Sequence, residues 1–388
     1  MSESRLLATP PLALYVHWPY CARVCPYCDF NVVRDRGQAE QAALIDAIVR
    51  DLEGQAALTG ERRLVSIFLG GGTPSLMLPE WAARITETAR RLWRPAERVE
   101  ITLEANPTDA EAGRFAAFAE AGVNRLSLGV QSFDDISLRF LGRNHDAGEA
   151  RRAASLARER FDQVSLDLIY ALPGQTPAAW SAQIDAALAF APDHVSPYQL
   201  TIEPGTAFGR AARRGSLVPP SADTGADLYE ITQARLGDAG FDAYEVSNHA
   251  RSAEARSRHN LAYWRGEDYV GAGPGAHGRI TVAGARTATE AARGVKAYIE
   301  TVKATGVGFA SRETLNPREA ALERLLMGLR THEGVCWRDL APLGLTRASA
   351  ATASLAHLGL IDAGETRLRA TAAGRPLLDR VIAELADA

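Results

Sequence analysis

Short apolar runs rich in β-branched residues recur through the first half of the chain, at 12–17, 64–69, 99–104, 125–130, 164–169 and 195–200. Runs of that length and composition predict strands. Between them, the stretches 41–52, 81–93, 110–121 and 178–190 carry apolar residues at helical spacing, several opened by Pro, Asp or Ser, and predict helices. Strand and helix alternate about six times, which implies an α/β fold on a parallel sheet. A full or partial TIM-like (β/α) barrel of about six units and an open doubly wound sheet both satisfy that pattern. The position of the unusual residues favours the barrel. Cys21, the glycines and threonine at 70–73, Glu104, Gln131 and Asp167 all fall at or just after the C-terminal end of a predicted strand, the face on which barrels build their sites.

Past residue 240 the pattern changes. The segment HNLAYWRGEDYVGAGPGAHG at 259–278 has closely spaced glycines and few helical periods, and reads as part of a loop-rich cap. From Asn316 onward the chain turns helical again. Pro317 opens a helix, two short helices follow, then GLIDAGETRLRATAAG suggests a hairpin before a last helix, the outline of a winged helix. The expected division is a barrel core at 1–240, a cap at 241–310 and a small C-terminal domain at 311–388. A winged helix can bind DNA, but acidic and basic side chains nearly balance after Asn316 and no basic run marks a recognition helix, so no nucleic acid is expected as a partner.

With 388 residues, 46% of them hydrophobic, the chain can fill one large core and a smaller one. A net charge of -4 gives no overall positive field to recruit polyanions. The N-terminus has no apolar stretch behind basic residues, and no run approaches the ~20 apolar residues that span a bilayer. A cytoplasmic location with at most peripheral membrane contact is the expectation.

There are four cysteines, and three of them, Cys21, Cys25 and Cys28, form a C-x3-C-x2-C array in the loop after the first strand. Such crowding suits ligands better than disulfide staples. Zinc is the rival metal, but a structural zinc site takes four protein ligands and no second CxxC pair or HxxxH segment supplies the fourth. Three thiolates on a four-iron cubane leave one iron open to chelation by the amino and carboxylate groups of a cofactor. Cys336, beside Trp337, is most simply a buried thiol.

The array CARVCPYCDF, preceded by YVHWPY, resembles the signature of radical S-adenosylmethionine (SAM) proteins, in their oxygen-independent coproporphyrinogen oxidase-like branch. The resemblance extends over nearly the whole chain. It implies a [4Fe-4S] cluster on Cys21, Cys25 and Cys28, SAM at the open iron, and a low-potential electron donor that drives cleavage of a carbon–sulfur bond in SAM. It also implies a SAM-binding set. Tyr15 matches the tyrosine beside the methionine moiety, and Gly71, Gly72 and Thr73 match the glycine motif that admits the cofactor's amino end. Glu104 in LEANP matches a carboxylate for the ribose hydroxyls. Gln131 and Arg143 fall at matching positions, Arg143 as a partner for the SAM carboxylate. Asp167 is an acid inside an apolar strand, costly to bury without a partner or ligand. Tyr27 fills the aromatic position before the last cysteine, for packing or cofactor contact.

Within the branch the chain resembles the HemW-like heme chaperones more than the HemN-like coproporphyrinogen III dehydrogenases. Phe30 stands where the dehydrogenases carry an additional cysteine, and only twenty residues precede Cys21, which leaves little room for their N-terminal extension. His259, Asn260, Tyr263 and Trp264 reproduce the HNxxYW motif associated with heme binding in the chaperones. An imidazole can ligate heme iron, and aromatic faces can stack on a porphyrin. The resemblance therefore implies heme as cargo, with a heme donor and apo-hemoprotein acceptors as partners, and no catalytic residue is assigned. Oxidative decarboxylation of coproporphyrinogen III is the alternative. His17, His145 and His277 are weaker ligand candidates, and His249 stands where relatives commonly have an aromatic residue.

Overall fold

The computed structural model describes residues 10–35 and 37–387. Six strands, β1 (Leu12–Trp18), β2 (Arg63–Gly71), β3 (Arg94–Ala105), β4 (Arg125–Gln131), β5 (Gln163–Tyr170) and β6 (His194–Gln199), lie side by side in chain order, each parallel to the next. Parallel neighbours need a crossover, and helices supply it: Gln38–Thr59, Pro79–Leu92, Ala147–Arg160 and Pro177–Leu188 among them. Their buried residues, such as Leu44, Ile48 and Leu52 on the first and Ile85 and Ala89 on the second, belong to the same core as the strand side chains.

The sheet continues beyond these six. β7 (Asp268–Ala272) is a seventh parallel strand on the other side of β1, and β8 (His277–Val282), β9 (Ala285–Ala291) and β10 (Phe309–Thr314) extend it antiparallel. At the opposite edge, two-residue strands at His249–Ala250 and Asp242–Ala243 follow β6. The two edges are not paired with one another among the described residues, so the architecture is the partial form of the barrel. Arg62 fastens the added strand: its guanidinium pairs with Asp268 at 2.9 Å, both side chains 2% exposed.

The strand and helix expectations hold, with two local differences. The helix expected at 110–121 is split into Asp109–Ala112 and Phe115–Glu120, interrupted at Gly113. The glycine-rich segment 259–278 is mostly helix and strand. Its glycines serve close approach: a Cβ on Gly271 would sit 2.0 Å from the His277 carbonyl oxygen, and one on Gly273, at φ +103°, 2.3 Å from that of His17. Composition marks such residues as turns, because a close neighbour from another segment leaves no trace in the local sequence.

One continuous apolar core runs from Leu12 to Val302 and includes the fully buried Trp18, Trp93 and Trp180. A second core holds the C-terminal residues Leu325, Val335, Leu340, Leu368 and Val381. Around it lie a three-stranded sheet (Val335–Cys336, Arg367–Ala370, Ile361–Ala363) and helices Pro317–Gly328, Ala350–His357 and Leu378–Ala386, as the winged-helix outline anticipates. Asn316 and Glu319 cap the first helix reciprocally, with Pro317 at its first position. Among the described residues no helix is long and apolar enough to cross a membrane.

Candidate functional site

All six parallel strands point their C-terminal ends the same way, and a cavity of about 560 Å³ opens there. The cysteine loop forms one wall. It is tied at both ends, because the short strand Tyr20–Cys21 pairs with Val33–Arg34. Within it the Cys28 amide donates to the Cys25 carbonyl at 3.2 Å. Cys21, Cys25 and Cys28 are free thiols and all line the cavity. Burial raises the pKa of Cys21, and that of Cys28 to about 11, and neighbouring sulfurs raise both further: Cys25 acts on Cys21, and Cys21 and Cys25 act on Cys28. The three sulfurs are thus close enough to repel as thiolates, a repulsion that a cationic centre relieves. Among the described residues no three His, Cys, Asp or Glu side chains converge on a single-ion site. Three soft thiolates fit an iron–sulfur cluster by donor type.

The facing wall suits a polar cofactor. Gly71, at φ +109°, ends β2, and its amide donates to the Glu104 carboxylate at 2.9 Å. Neither glycine here could carry a side chain: a Cβ on Gly71 would lie 2.6 Å from the His17 ring, and one on Gly72 2.6 Å from the Tyr20 carbonyl oxygen. The Thr73 hydroxyl points to the Cys21 sulfur at 3.6 Å and accepts from the Asn106 amide at 3.1 Å. Arg143 is partly buried, with Nη2 donating to the Gly129 carbonyl at 2.9 Å and to Asn106, and Nη1 lying 3.5 Å from both the Cys25 sulfur and the Tyr27 hydroxyl. Asp167 accepts from Ser127 at 2.8 Å and Ser165 at 3.3 Å.

Three buried polar atoms on residues lining this cavity have no partner: Thr102 Oγ1, Gln131 Oε1 and Arg143 Nε. Gln131 is also held in the left-handed region at φ +64°, an uncommon conformation for a residue with a side chain. Unfilled bonding capacity beside the thiols is what a polar cofactor would complete. Bound there, SAM would offer its amino acid end to the open iron, where the cluster supplies the electron that cleaves a carbon–sulfur bond. Gly71, Gly72, Thr73, Glu104, Gln131, Arg143 and Asp167 all line this cavity together with the cysteines. Tyr15 does not. Its hydroxyl bonds to His17 Nδ1 at 2.9 Å and it faces a neighbouring chamber.

Glu104 carries a pH signature. Burial pushes its pKa up to about 8 from 4.5, opposed by the Gly71 amide and reinforced by Asp167. A carboxyl whose folded pKa is raised favours the fold below its unfolded pKa, and that contribution disappears as pH rises through the folded value. Melting of the SAM-free protein should therefore fall between pH 5 and 8 more steeply than that of Glu104→Gln. Parallel curves for the two proteins would show that Glu104 does not titrate this way.

The second chamber, about 530 Å³, shares Asp29, Phe30, Gly71 and Glu104 with the first. Phe30, 62% exposed, is part of the shared wall. The HNxxYW residues lie on the helix Arg258–Trp264 and separate. Asn260 lines the first cavity, while Tyr263 and Trp264 line the second. His259 lines neither. It is 1% exposed, stacked on Phe68 at 4.7 Å, with Nε2 on the Tyr263 hydroxyl at 2.8 Å and Nδ1 on Ser66 at 3.4 Å. Burial pushes its pKa down to about 3, so it is a neutral ring with both nitrogens occupied. The expectation of His259 as an axial heme ligand does not fit this geometry. The four-residue spacing that stacks His259 beneath Tyr263 turns both toward β1 and β2, as in a core contact.

The other histidines sort similarly. His249 is buried beside Gln233 and lines neither chamber, so it supplies no second heme-side imidazole. His145 bonds to the Val130 carbonyl at 3.1 Å and is held near pKa 4 by burial and Arg143. His17 has both nitrogens engaged, by Tyr15 and by the Asn31 carbonyl. Cys336 receives a hydrogen bond from Arg367 at 3.1 Å. Among the cavity residues that the sequence does not single out are Asn106, which the LEANP segment carries two positions after Glu104, and Ser127, which nothing local distinguishes.

Comparison with known proteins places this geometry. The model of the radical SAM superfamily matches residues 15–183, and that of the HemN C-terminal domain matches 315–377. The chain belongs to the radical SAM superfamily. Within it, the chain groups with the HemW proteins. It is 35% identical to the heme chaperone HemW of Bacillus subtilis, over 90% of this chain and 97% of that one. With HemW of Mycobacterium tuberculosis the identity is 38%, over 97% and 95% of the two chains. It is 41% identical to the mitochondrial radical S-adenosyl methionine domain-containing protein 1 of Bos taurus, over 96% and 87%. The solved structure of coproporphyrinogen III oxidase (HemN) from Escherichia coli shares the fold, at TM-score 0.80 and 24% identity over 99% of this chain and 93% of that one.

Proposed function

We propose that this protein is a heme chaperone: it holds a [4Fe-4S] cluster on Cys21, Cys25 and Cys28, binds SAM beside it, and carries heme to apo-hemoproteins such as respiratory enzymes. The observation that carries the reading is Phe30. The resemblance places a further cysteine at this position in the branch's dehydrogenases. Here an apolar ring stands on the wall between the cluster cavity and the adjoining chamber, a surface for a flat apolar ligand and not for thiol chemistry. The names of the whole-chain relatives support the same reading.

The SAM assignments of Gly71, Gly72, Thr73, Glu104, Gln131, Arg143 and Asp167 belong to this proposal, supported by their shared cavity and the orphaned atoms of Gln131 and Arg143. Tyr15 has no such support. The division at about residues 240 and 310 is likewise proposed; two separate apolar cores, one reaching Val302 and one starting at Ala321, support the boundary near 310, while one core spans the boundary at 240. A heme donor, hemoprotein acceptors and a low-potential electron donor are the partners it requires. Cytoplasmic residence remains part of the proposal, although relatives matched over nearly all of this chain carry a mitochondrial name.

The test supplies the anaerobically reconstituted protein with SAM, a reductant and either hemin or coproporphyrinogen III. Hemin should be retained through gel filtration, and no protoporphyrinogen IX should form. Conversion of coproporphyrinogen III would overturn the reading in favour of the dehydrogenase.

A further inference from the structure

We infer that heme sits in the second chamber with His277 as its axial ligand, and that the guanidiniums of that chamber take its carboxylates. The inference rests on the heme-chaperone reading and adds the place, the ligand and the orientation.

Two histidines line the chamber, and only one has a ring open to a metal. His17 is spent on Tyr15 and Asn31. His277, the first residue of β8, is 55% exposed, and its nearest charged partner is Glu290 at 3.9 Å, beyond hydrogen-bond reach. An imidazole on the end of a strand, beside a chamber and without a close partner, has the freedom a ligand needs. His277 is close enough to His17 to lower the latter's pKa, so it stands against the chamber and not on a remote surface.

The walls suit a planar dianion. Tyr15, Tyr263, Tyr269 and Trp264 give aromatic surface, and Met327 on the helix Pro317–Gly328 closes one side with a deformable apolar chain. Four arginines, Arg279, Arg286, Arg293 and Arg324, face only three lining carboxylates, Asp29, Glu104 and Glu323. One of those three, Glu104, is held largely protonated near neutral pH while SAM is absent. Among the lining residues alone the guanidiniums outnumber the carboxylates by one, and guanidiniums pair carboxylates in two-pronged fashion. These arginines are partly engaged already: Arg279 with Glu323 at 2.7 Å, Arg286 with Asp268 at 3.7 Å, Arg324 with Asp339 at 3.7 Å and Arg293 with Glu290 at 3.0 Å. Arg293 is the most exposed of them, 74%, and is on the same short segment as the partner of His277, Glu290. A propionate can displace that i,i+3 contact at little cost, since exposed ion pairs contribute little to stability. The four lining residues common to both chambers put such a heme beside the cluster cavity without entering it.

Hemin titrations of the full-length reconstituted protein test this, using wild type, His277→Ala and Met327→Trp, with iron content and SAM binding as checks on folding. Wild type should bind hemin with a histidine-ligated spectrum. His277→Ala should lose that spectrum, and Met327→Trp, which fills the chamber from a half-buried position, should weaken binding at least about tenfold. Hemin bound by Met327→Trp as tightly as by wild type would overturn the location and leave the chaperone reading standing. An unchanged spectrum in His277→Ala would overturn the ligand assignment. No hemin binding by wild type would overturn the chaperone reading, and this inference with it.

Discussion

Cys25→Ala should leave the chain folded and take away its iron. After anaerobic reconstitution the content should drop from about four irons per chain to below about one, and SAM cleavage should become undetectable. Three ligands are the minimum that holds a cubane with one open iron, so removal of one leaves two thiolates on a loop built to offer three. The barrel has no stake in that side chain: Cys25 is half-buried, absent from the apolar cores, and its loop is closed by the Tyr20–Cys21 and Val33–Arg34 pairing. Its removal even relieves the like-charge repulsion that raises Cys21 and Cys28. Iron assay, absorbance and thermal melting check the two halves separately. Retention of four irons in the variant would dismiss Cys25 as a ligand.

Arg143→Met should cost both stability and SAM. The guanidinium is the hub of the cavity wall, reaching Asn106, the Gly129 carbonyl, Tyr27 and Cys25 from a partly buried position. Hydrogen bonds from a charged donor contribute about 1.5–3 kcal/mol each, and leaving buried acceptors unpaired adds to the loss, so about 3 kcal/mol of destabilisation is expected. SAM loses the partner of its carboxylate, and affinity should fall about a hundredfold, equivalent to about 2.8 kcal/mol. Arg143→Lys keeps the charge but not the fork, and should fall between the two. Equilibrium binding of SAM against denaturant unfolding of the same variants separates the effects. Undiminished SAM affinity in Arg143→Met would take Arg143 out of the cofactor site.

The sequence showed most of the barrel because each strand is apolar and each crossover helix carries its own stripe and start signal. The site was legible where a motif is local: three thiols within one loop, glycines at a strand end, an acid at the next. It was less legible where the chemistry is assembled from distant segments. β7 was hidden among glycines whose purpose is to let β1 and β8 come close. The second chamber draws on β1, β8, β9 and the helix Pro317–Gly328, and no periodicity announces that its arginines meet. His259 illustrates the opposite case. In sequence it is an imidazole among aromatics, as a ligand would be. In the fold its helical register turns it inward to Phe68, Ser66 and Tyr263.

The account's central claim is that a cluster-and-SAM cavity and an adjoining chamber serve to carry heme and not to make it. Its most direct test loads the reconstituted protein with hemin, mixes it with an apo-hemoprotein, and follows the acceptor's spectrum and activity over time. The account predicts stoichiometric appearance of the holo-acceptor, faster than from free hemin at the same concentration. Heme that stays on the protein, or an acceptor that fills no faster than from free hemin, would contradict it.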